Sequence, residues 1–394
     1  MKSRYHYVRI LGMSMGKIID ESYYCTLWYD HQAITVKAEA TEIWLEHWNR
    51  HPNPNTYHSY LFSCAVPLNL RDSGVYPANV SLSSQVCMNI STMLPVKKDG
   101  LDIGAGKTEF KKQFAVCVKG MDFTKDLSAR LLEWIELLFL LGADKIFFYN
   151  FRVHKNMEKV LNYHERKGKV KVIPLSLPGD QPNDPDTRTF YLKRATWQKR
   201  RNEVVPYNDC LYSNLYLFEY VIPLDIDEVI MPVKTYTWKE MLQGYRKEKP
   251  EVFEKYSSFS AQNTYFLEVY NSSRAADIPS YYYMLQNRIR SANFSLFGHS
   301  VKSFVSTDLS KTIFNHYTLD PLYIFKKANH VMNTSHVQMN HYKERCPREI
   351  YSQCQSKYLV YKVIDNTIDK YKNELMRNVE SVIKKLNLPI KDKR

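Results

Sequence analysis

The feature that most limits how this chain can fold is an alternation of strand-like and helix-like segments between residues 113 and 175. Short apolar runs typical of buried strands are separated by stretches whose apolar residues recur at helical spacing. The predicted strands are 113–120, 145–150 and 169–175, and the predicted helices are 126–142 and 156–168. Because neighbouring parallel strands need helical crossovers, this order predicts a parallel sheet with helices on its faces, and hence an α/β fold.

Composition divides the chain into three parts. Residues 1–110 contain short alternating runs rich in β-branched and aromatic residues, which predict a β-rich N-terminal domain. Residues 111–345 contain the α/β pattern, and residues 346–394 have a helical pattern that favours two helices. A stretch with three glycines at 96–109 is the predicted linker between the first two parts.

The charge of the chain favours anionic partners. It carries 55 Lys and Arg residues against 41 Asp and Glu residues, a formal net charge of +14. No nucleic-acid-binding motif accompanies this charge, so we expect no nucleic-acid partner. No apolar run reaches the roughly 18 residues of a membrane span, and the first residues lack the apolar core of a signal peptide. We therefore expect a soluble chain, with membrane contact only through an anchor further upstream.

Cysteines and glycosylation sequons favour the lumen of the secretory pathway. The seven cysteines, none of them in a C-x-x-C pair, are Cys25, Cys64, Cys87, Cys117, Cys210, Cys346 and Cys354. The N-x-S/T sequons are at Asn79, Asn89, Asn271, Asn293 and Asn333. The missing C-x-x-C pairs argue against zinc and thioredoxin-type chemistry, and the odd count leaves at least one thiol free or paired between chains.

An acidic cluster interrupts a strand-like run at residues 220–233, YVIPLDIDEVIMPV. Asp225, Asp227 and Glu228 stand among apolar residues, although burying an unpaired carboxylate is costly. Ligands of open α/β sheets bind beyond the carboxyl ends of strands, and alternate strand residues share a face. We therefore expect Asp225 and Asp227 to converge on Mn²⁺ or Mg²⁺, with diphosphate oxygens completing its shell. The alternative is that both acids cap the strand end and pair with Arg or Lys.

A second D-x-D string, at Asp184 and Asp186, lies in the Pro-rich stretch 178–187. Asp and Pro in such a stretch are typical of turns, where short polar side chains bond to nearby backbone. We therefore interpret this string as turn chemistry and solvent contact rather than as a metal site.

Several motifs occur in an order that is typical of one known family. The run LDIDEVIMP follows YNDCLYSNLYLFEYVIP, and upstream stands LLEWIELLFLLGADKIFFYN. Downstream stand HSVKSFVSTDLSKTIFNHYTL and VQMNHYKERC. The motif residues are Trp134, Glu136, Gly142, Phe148, Tyr149, Cys210, Lys302, Ser303 and His316. Together these motifs resemble glycosyltransferase family 92, formerly a domain of unknown function numbered 23.

The resemblance extends from about residue 20 to residue 346, with two departures. The N-terminal run SYYCTLWYDHQAITVKA resembles the family's Y-Y-D-x-R segment, but His31 and Gln32 stand where an Arg is usual. Lys343 stands at the Arg position of the late H-Y-R element. Both departures lie outside the D-x-D motif, so they bear on acceptor details more than on the reaction class.

The resemblance implies an inverting, metal-dependent glycosyltransferase of GT-A fold, with a Rossmann-like mixed sheet flanked by helices. It implies transfer of galactose from UDP-galactose, in β1,4 linkage, to a glycan or glycoprotein acceptor such as fucose or galactose on an N-glycan core. The enzyme would be a type II membrane protein of the Golgi lumen. Residues 111–232 would bind the sugar nucleotide, and residues 233–345 would bind the acceptor.

The acidic residues fit roles in such a reaction. Asp225 and Asp227 would hold Mn²⁺, Asp227 more directly, and Asp225 would also face the UDP-galactose. The ion would neutralise charge on the β-phosphate of the leaving group. Glu228 would not bind the ion directly but would orient one of its ligands or a ribose hydroxyl.

Two histidines and a lysine complete the predicted site. A third metal ligand is expected from a later element, with His341 as the first choice and His316 as the second. Lys302 is expected to contact phosphate. The alternatives are hydrogen-bonded structural histidines and an ordinary surface lysine.

Inversion by direct displacement also requires a general base that takes the proton of the acceptor hydroxyl. The carboxylates that follow the D-x-D motif are Glu268, Asp308, Asp320 and Glu344, and the sequence does not select among them. Two other functions stay open. One is a glycan-binding protein on a transferase-like scaffold without turnover, and the other is a basic nucleic-acid-binding protein.

Overall fold

The computed structural model of the chain describes residues 6–18, 21–49, 54–71, 74–86, 92–97, 111–270, 277–347 and 350–390. The strands are β1 (Tyr7–Met15), β2 (Tyr23–Trp28), β3 (Ala33–Glu42), β4 (Tyr57–Ala65), β5 (Asn79–Ser83), β6 (Leu94–Pro95), β7 (Lys112–Asp122), β8 (Lys145–Arg152), β9 (Val170–Pro174), β10 (Phe218–Pro223), β11 (Glu228–Pro232), β12 (Tyr256–Ala261), β13 (Asn263–Leu267), β14 (Ile289–Ser291), β15 (Lys302–Ser306), β16 (Lys327–Val331), β17 (Val337–Lys343) and β18 (Lys362–Ile364). The helices are α1 (Leu68–Arg71), α2 (Ser128–Leu141), α3 (Lys155–Arg166), α4 (Pro185–Arg194), α5 (Thr196–Asn214), α6 (Trp238–Glu248), α7 (Pro250–Lys255), α8 (Tyr351–Gln353) and α9 (Lys372–Leu386).

Some sequence predictions fall on residues outside the described ranges. They are most of the linker at 96–109, Cys87, and the sequons at Asn89 and Asn271. Among the described helices, none combines the length and the apolar character that crossing a membrane requires.

The chain forms two compact units. One comprises Met1–Glu109 with Leu177–Tyr216, and the other comprises Phe110–Ser176 with Leu217–Arg394, each as far as it is described. Helices α4 and α5 thus group with the N-terminal strands, whereas the sequence-based division placed them in 111–345. The C-terminal residues group with the second unit. The division into donor and acceptor halves stays a prediction.

The first unit is built on an antiparallel sheet with the strand order β1-β4-β3-β2-β5-β6. A disulfide between Cys25 and Cys64 joins β2 to β4 across β3. Helix α5 is bonded to the same sheet, since Gln198 Oε1 accepts from the N–H of Tyr57 at 2.7 Å and the hydroxyl of Ser59 donates to the carbonyl of Arg201 at 2.8 Å. The β-rich character expected for the N-terminal residues is present in this sheet.

The second unit contains a seven-stranded mixed sheet with the order β16-β12-β15-β10-β7-β8-β9. The strands β10, β7, β8 and β9 are parallel, as the alternation of segments predicted for β7, β8 and β9. Strand β15 is antiparallel to both of its neighbours, β10 and β12, and β16 pairs in parallel with β12. The protein is therefore a mixed α/β structure.

Helix α2 is the main apolar layer on this sheet. Leu131, Trp134, Ile135 and Leu138 recur at helical spacing and are fully buried. The helix ends at Gly142, whose φ of 106° lies in the left-handed region and whose N–H bonds back to the carbonyls of Leu138 and Phe139. A glycine adopts this conformation without the steric cost of a Cβ, so the predicted helix end is confirmed.

Two apolar runs that read as single strands in the sequence are each divided between two sheets. The run at 220–233 forms β10 and then β11, and the run at 258–270 forms β12 and then β13. Strands β11 and β13 flank β17 in a separate three-stranded sheet, β11-β17-β13. An apolar run looks the same whether it continues or changes sheet, so the sequence pattern could not show either break.

Other elements differ from the predictions for local reasons. The helix predicted at 189–205 consists of α4 and α5, and α4 begins earlier because the side chain of Asp184 caps it by accepting from the N–H of Thr187 at 3.2 Å. The first of the two predicted C-terminal helices is only α8 and a π-helical turn at Cys354–Tyr358. Strand β18 follows, as its β-branched residues favour.

One buried carboxylate holds the loop before β14 against α2. Glu133 is fully buried, and its carboxylate accepts from the N–H groups of Tyr283 at 2.7 Å, Met284 at 3.0 Å and Leu285 at 2.9 Å. Burial raises the pKa of Glu133 to about 7, although these three backbone donors oppose the shift. A single side chain therefore satisfies three consecutive backbone donors that the loop cannot satisfy itself.

Replacing this carboxylate should destabilise the protein. The substitution Glu133→Ala leaves two buried N–H groups and one partly buried N–H group without their acceptor, and each orphaned donor costs about 1–3 kcal/mol. We expect urea unfolding to show a loss of at least about 3 kcal/mol in the free energy of unfolding. Glu158→Ala, at an exposed position of α3, is the control and should change it by less than about 0.5 kcal/mol. Equal stabilities for the two variants would contradict this role of Glu133.

Candidate active site

The acidic cluster lies in the tight connection between β10 and β11. Asp225 and Asp227 are outside both strands, so the expectation that strand alternation places them together is wrong. The turn itself sets their positions. The N–H of Glu228 donates to the carbonyl of Asp225 at 3.0 Å, and the N–H of Asp225 donates back to Glu228 Oε2 at 3.0 Å. The connection follows the carboxyl end of β10, where open α/β sheets bind their ligands.

Asp225 is paired with two lysines from neighbouring strands. Its Oδ2 lies 3.2 Å from Lys119 Nζ on β7 and 3.8 Å from Lys302 Nζ on β15. Burial on its own would raise the pKa of this carboxyl, but the positive charges of Lys119 and Lys302 outweigh it and hold the pKa well below its usual range. Asp225 is therefore ionised at physiological pH.

Asp227 is paired with cations from other elements. Lys343 Nζ on β17 donates to Asp227 Oδ2 at 2.6 Å, and Arg130 on α2 lies 4.0 Å from the same oxygen. Burial again opposes ionisation, but the neighbouring His341 and the ammonium group of Lys343 outweigh it and lower the pKa of Asp227. The backbone is fixed as well, because the N–H of Tyr342 donates to the carbonyl of Asp227 at 2.8 Å. Asp227 is thus bonded through both its side chain and its main chain.

Glu228 and Lys302 form the buried centre of the cluster. Their side chains are 5% and 2% exposed, and Lys302 Nζ lies 3.2 Å from Glu228 Oε2. Burial raises the pKa of Glu228, and the charge of Lys302 acts in the opposite direction. The predicted phosphate contact, Lys302, is therefore engaged with two carboxylates and with the carbonyl of Asn315 at 3.3 Å.

His341 faces the cluster from β17. Its Nε2 lies 3.8 Å from Asp227 Oδ2 and 3.8 Å from Glu228 Oε1, and within the described part of the chain neither ring nitrogen has a hydrogen-bond partner. Burial lowers the pKa of His341 to about 3, so the imidazole is neutral at physiological pH. Tyr265 on β13 stacks on the ring with 5.4 Å between centroids. His341 is therefore a neutral, oriented imidazole with unused donor and acceptor atoms.

His316 lies on the Asp225 side of the cluster. Its Nδ1 is 2.8 Å from the carbonyl of Val301, to which a protonated Nδ1 donates. Burial lowers the pKa of His316 to about 3, and the nearby charge of Lys302 acts in the same direction. The structure thus brings both predicted histidines to the cluster, and one of them is already engaged with backbone.

The donor atoms suit a divalent metal ion, but they are not arranged around one position. Asp225 and Asp227 offer carboxylate oxygens and His341 offers an unpartnered neutral imidazole, which are ligands that Mn²⁺ accepts. Across the described ranges, no group of three His, Cys, Asp or Glu side chains could hold a metal ion as it stands. Lys343 donates to Asp227 Oδ2, so a metal ion that bound this same oxygen would displace the ammonium group.

Lys119 and Arg130 are functional candidates that the sequence reasoning missed. With Lys302 and Lys343 they surround the three carboxylates of the turn. Lys119 stands near the carboxyl end of β7, next to β10, so its place at the end of a parallel strand was a usable signal. Arg130 stacks on the ring of Tyr283 at 3.9 Å and donates to the carbonyl of Tyr342 at 3.0 Å. The apolar spacing of α2 predicted the helix, but it did not mark Arg130 as a functional residue.

Comparisons with known proteins identify the family. The family model of glycosyltransferase family 92 matches residues 112–393, which include every residue of the cluster. The chain belongs to glycosyltransferase family 92. The N-terminal run around Gln32, which also resembles the family, lies outside the matched residues.

Two known proteins are similar to this chain at low sequence identity. A curated β-1,4-galactosyltransferase, galt-1 of Caenorhabditis elegans, is 25% identical over 238 residues, which are 60% of this chain and 45% of that protein. A solved structure of S. aureus TarS 1-349 is similar over 71% of this chain and 67% of that one, at 13% identity. Its TM-score of 0.25 is too low to establish a shared fold.

The buried pair Lys302 and Glu228 generates a stability prediction. Lys302→Met leaves Glu228 buried without its nearest cation, which should cost about 3–5 kcal/mol of unfolding free energy. The double variant Lys302→Met/Glu228→Gln removes both charges and should recover part of that loss. A double-mutant cycle by urea unfolding should therefore give a coupling of at least about 1 kcal/mol. Strictly additive effects would contradict the pairing.

Proposed function

We propose that this family 92 chain is an inverting, metal-dependent glycosyltransferase of GT-A type that transfers galactose from UDP-galactose in β1,4 linkage. The acceptor would be a glycan such as fucose or galactose on an N-glycan core. Family membership supports sugar transfer. The donor sugar and the linkage rest on the name of the galactosyltransferase galt-1, whose matched part is 45% of that protein.

The observation that carries this proposal is the set of charges at the turn. Asp225, Asp227 and Glu228 lie at the carboxyl end of β10 with Lys119, Lys302, Lys343 and Arg130 around them. A site for a nucleotide-sugar needs cations for the diphosphate and carboxylates for a metal ion, and both are present within a few ångströms. Neither the cations alone nor the carboxylates alone would indicate a nucleotide-sugar so specifically.

Binding of the donor would change the partners of the lysines. The side chains of Lys119 and Lys343 are 16% and 33% exposed, so both can reach a diphosphate beside the turn. Each ammonium group would then bind phosphate oxygens instead of, or together with, its aspartate. Such fixed positive charges stabilise the negative charge that develops on a leaving phosphate. Lys302, which is 2% exposed, stays a predicted phosphate contact.

The metal ion would be held by Asp225 and Asp227, with His341 as the third protein ligand. His341 is preferred to His316 because both of its ring nitrogens lack a partner in the described structure. Bound there, Mn²⁺ or Mg²⁺ would supply Lewis-acid neutralisation of the leaving diphosphate. Glu228, bonded to the N–H of Asp225, would keep the turn in place behind the ligands.

A secretory-pathway lumen, with the Golgi as the expected organelle, is part of the same proposal. Two disulfides, Cys25–Cys64 and Cys346–Cys354, support an oxidising compartment. The sequon at Asn333 lies at an exposed position where a glycan could be attached. These observations agree with the location that the sequence indicated.

The D-x-D assignment predicts the effect of Asp227→Asn. With UDP-galactose and Mn²⁺, transfer to a core-fucosylated N-glycan should fall by about 100- to 1,000-fold, because a charged ligand beside the diphosphate is lost. Asp186→Asn, in the other D-x-D string, lies in an exposed first turn of α4 and should keep wild-type activity. Full activity of Asp227→Asn would refute the assignment. Glycan binding without turnover by the wild type would instead favour the binding-protein alternative.

The assignment of His341 as a metal ligand predicts an effect of Mn²⁺ on stability that can be measured without an assay of sugar transfer. Mn²⁺ binds only the folded protein at this site, so it should raise the thermal midpoint of unfolding of the wild type. His341→Ala should abolish the rise, whereas His316→Ala should keep it. Differential scanning fluorimetry with and without Mn²⁺ makes the comparison. The reverse order of the two variants would show His316 to be the ligand.

A further inference from the structure

Two glutamates stand at the end of the small sheet that carries His341 and Lys343. Strands β13 and β17 are parallel neighbours, with Leu267 opposite Lys343 as their last pair. Glu268 and Glu344 are the next residues of each strand. Because Lys343 reaches Asp227 at 2.6 Å, this end of the sheet lies beside the turn. Both glutamates therefore follow the carboxyl ends of parallel strands, at the end of the sheet that lies beside the D-x-D turn.

The ring of Tyr283 connects these glutamates to the turn. It stacks under the Arg130 guanidinium at 3.9 Å, and Arg130 lies 4.0 Å from Asp227 Oδ2. Burial raises the pKa of Tyr283 to about 12, and the negative charges of Glu268, Glu344 and Asp227 act in the same direction. The three carboxylates thus lie around the same tyrosine ring, and Arg130 supplies a positive charge beside Asp227.

Glu268 and Glu344 differ in their partners. Glu344 Oε1 lies 3.8 Å from Lys125 Nζ, so this carboxylate already faces a cation. Glu268 begins the short 3₁₀ turn Glu268–Tyr270 and is exposed. Across the described ranges, no hydrogen bond or ion pair engages its carboxylate. An exposed carboxylate without a competing donor is able to accept a hydrogen bond, and then a proton, from a bound hydroxyl.

The other carboxylates that follow the D-x-D motif are placed elsewhere. Strand β15 is antiparallel to β10, with Ser306 opposite Tyr220, so Asp308 lies beyond the amino-terminal half of β10 and pairs with Lys111 at 2.8 Å. Asp320 accepts from the hydroxyl of Thr312 at 2.6 Å and closes a hairpin. Neither side chain is at the carboxyl end of β10.

We propose that Glu268 is the general base of the transfer reaction. This inference rests on the proposed function. The oxygen of the acceptor hydroxyl forms a bond to the anomeric carbon of the donor, and the bond from that carbon to the diphosphate breaks with its electron pair leaving on UDP. The hydroxyl proton passes to a carboxylate oxygen of Glu268. The acceptor is therefore a sugar hydroxyl bound over the end of β13, next to Tyr283.

The test compares Glu268→Gln with Glu344→Gln as its matched control. With UDP-galactose and a core-fucosylated N-glycan, kcat of Glu268→Gln should fall by about 100-fold or more, the usual contribution of a positioned base. The Kd for UDP in calorimetry should stay within about twofold of the wild type, since the donor subsite is untouched. Glu344→Gln should keep kcat. Glu268→Asp, which retains a carboxylate, should recover part of the lost rate.

The possible outcomes distinguish a failure of the Glu268 assignment from a failure of the proposed function. A wild-type chain that transfers no sugar from any UDP-sugar would overturn the proposed function itself. Transfer by the wild type with an unchanged kcat in Glu268→Gln would overturn only the assignment of the base. A weakened Kd for UDP in step with kcat, or a loss that Glu268→Asp does not recover, would show a structural role instead.

Discussion

The contact between the acidic turn and its lysines is the interaction on which the site depends. Asp225, Asp227 and Glu228 are largely buried, and taking unpaired carboxylates out of water costs several kcal/mol for each. The partners come from three strands that are far apart in the sequence: Lys119 on β7, Lys302 on β15 and Lys343 on β17. The ion pairs therefore tie the seven-stranded sheet to the three-stranded sheet at the point where the chain passes between them.

Under the proposed function, the same contacts would keep the acidic turn stable before the donor binds. Without a ligand, the ammonium groups neutralise the aspartates and permit their burial. With a nucleotide diphosphate and a metal ion, the ion would take over the aspartates and the lysines would take the phosphates. Charge would stay balanced in both states. His341, neutral and without a hydrogen-bond partner in the described structure, would gain a polar contact in that exchange.

The features that the sequence predicted are those encoded by local pattern. Helix α2 and its end at Gly142 follow from apolar spacing and from the conformational freedom of glycine, and the parallel strands follow from their order along the chain. The placement of Asp225 at the end of β10 was also predicted from local pattern, because the apolar run before it is typical of a buried strand. The change of sheet between Pro223 and Glu228 was not, because apolar residues stand on both sides of the break.

The ion-pair partners of the charged residues could not be predicted from local sequence pattern. Lys119 meets Asp225, and Lys343 meets Asp227, only after long stretches of chain have folded between them.

The most direct test of the central claim is a crystal structure of the chain with UDP and Mn²⁺. We predict diphosphate density between the turn and the side chains of Lys119 and Lys343, with the ion against Asp225 and Asp227. Nucleotide bound elsewhere, with these ion pairs unchanged, would contradict it.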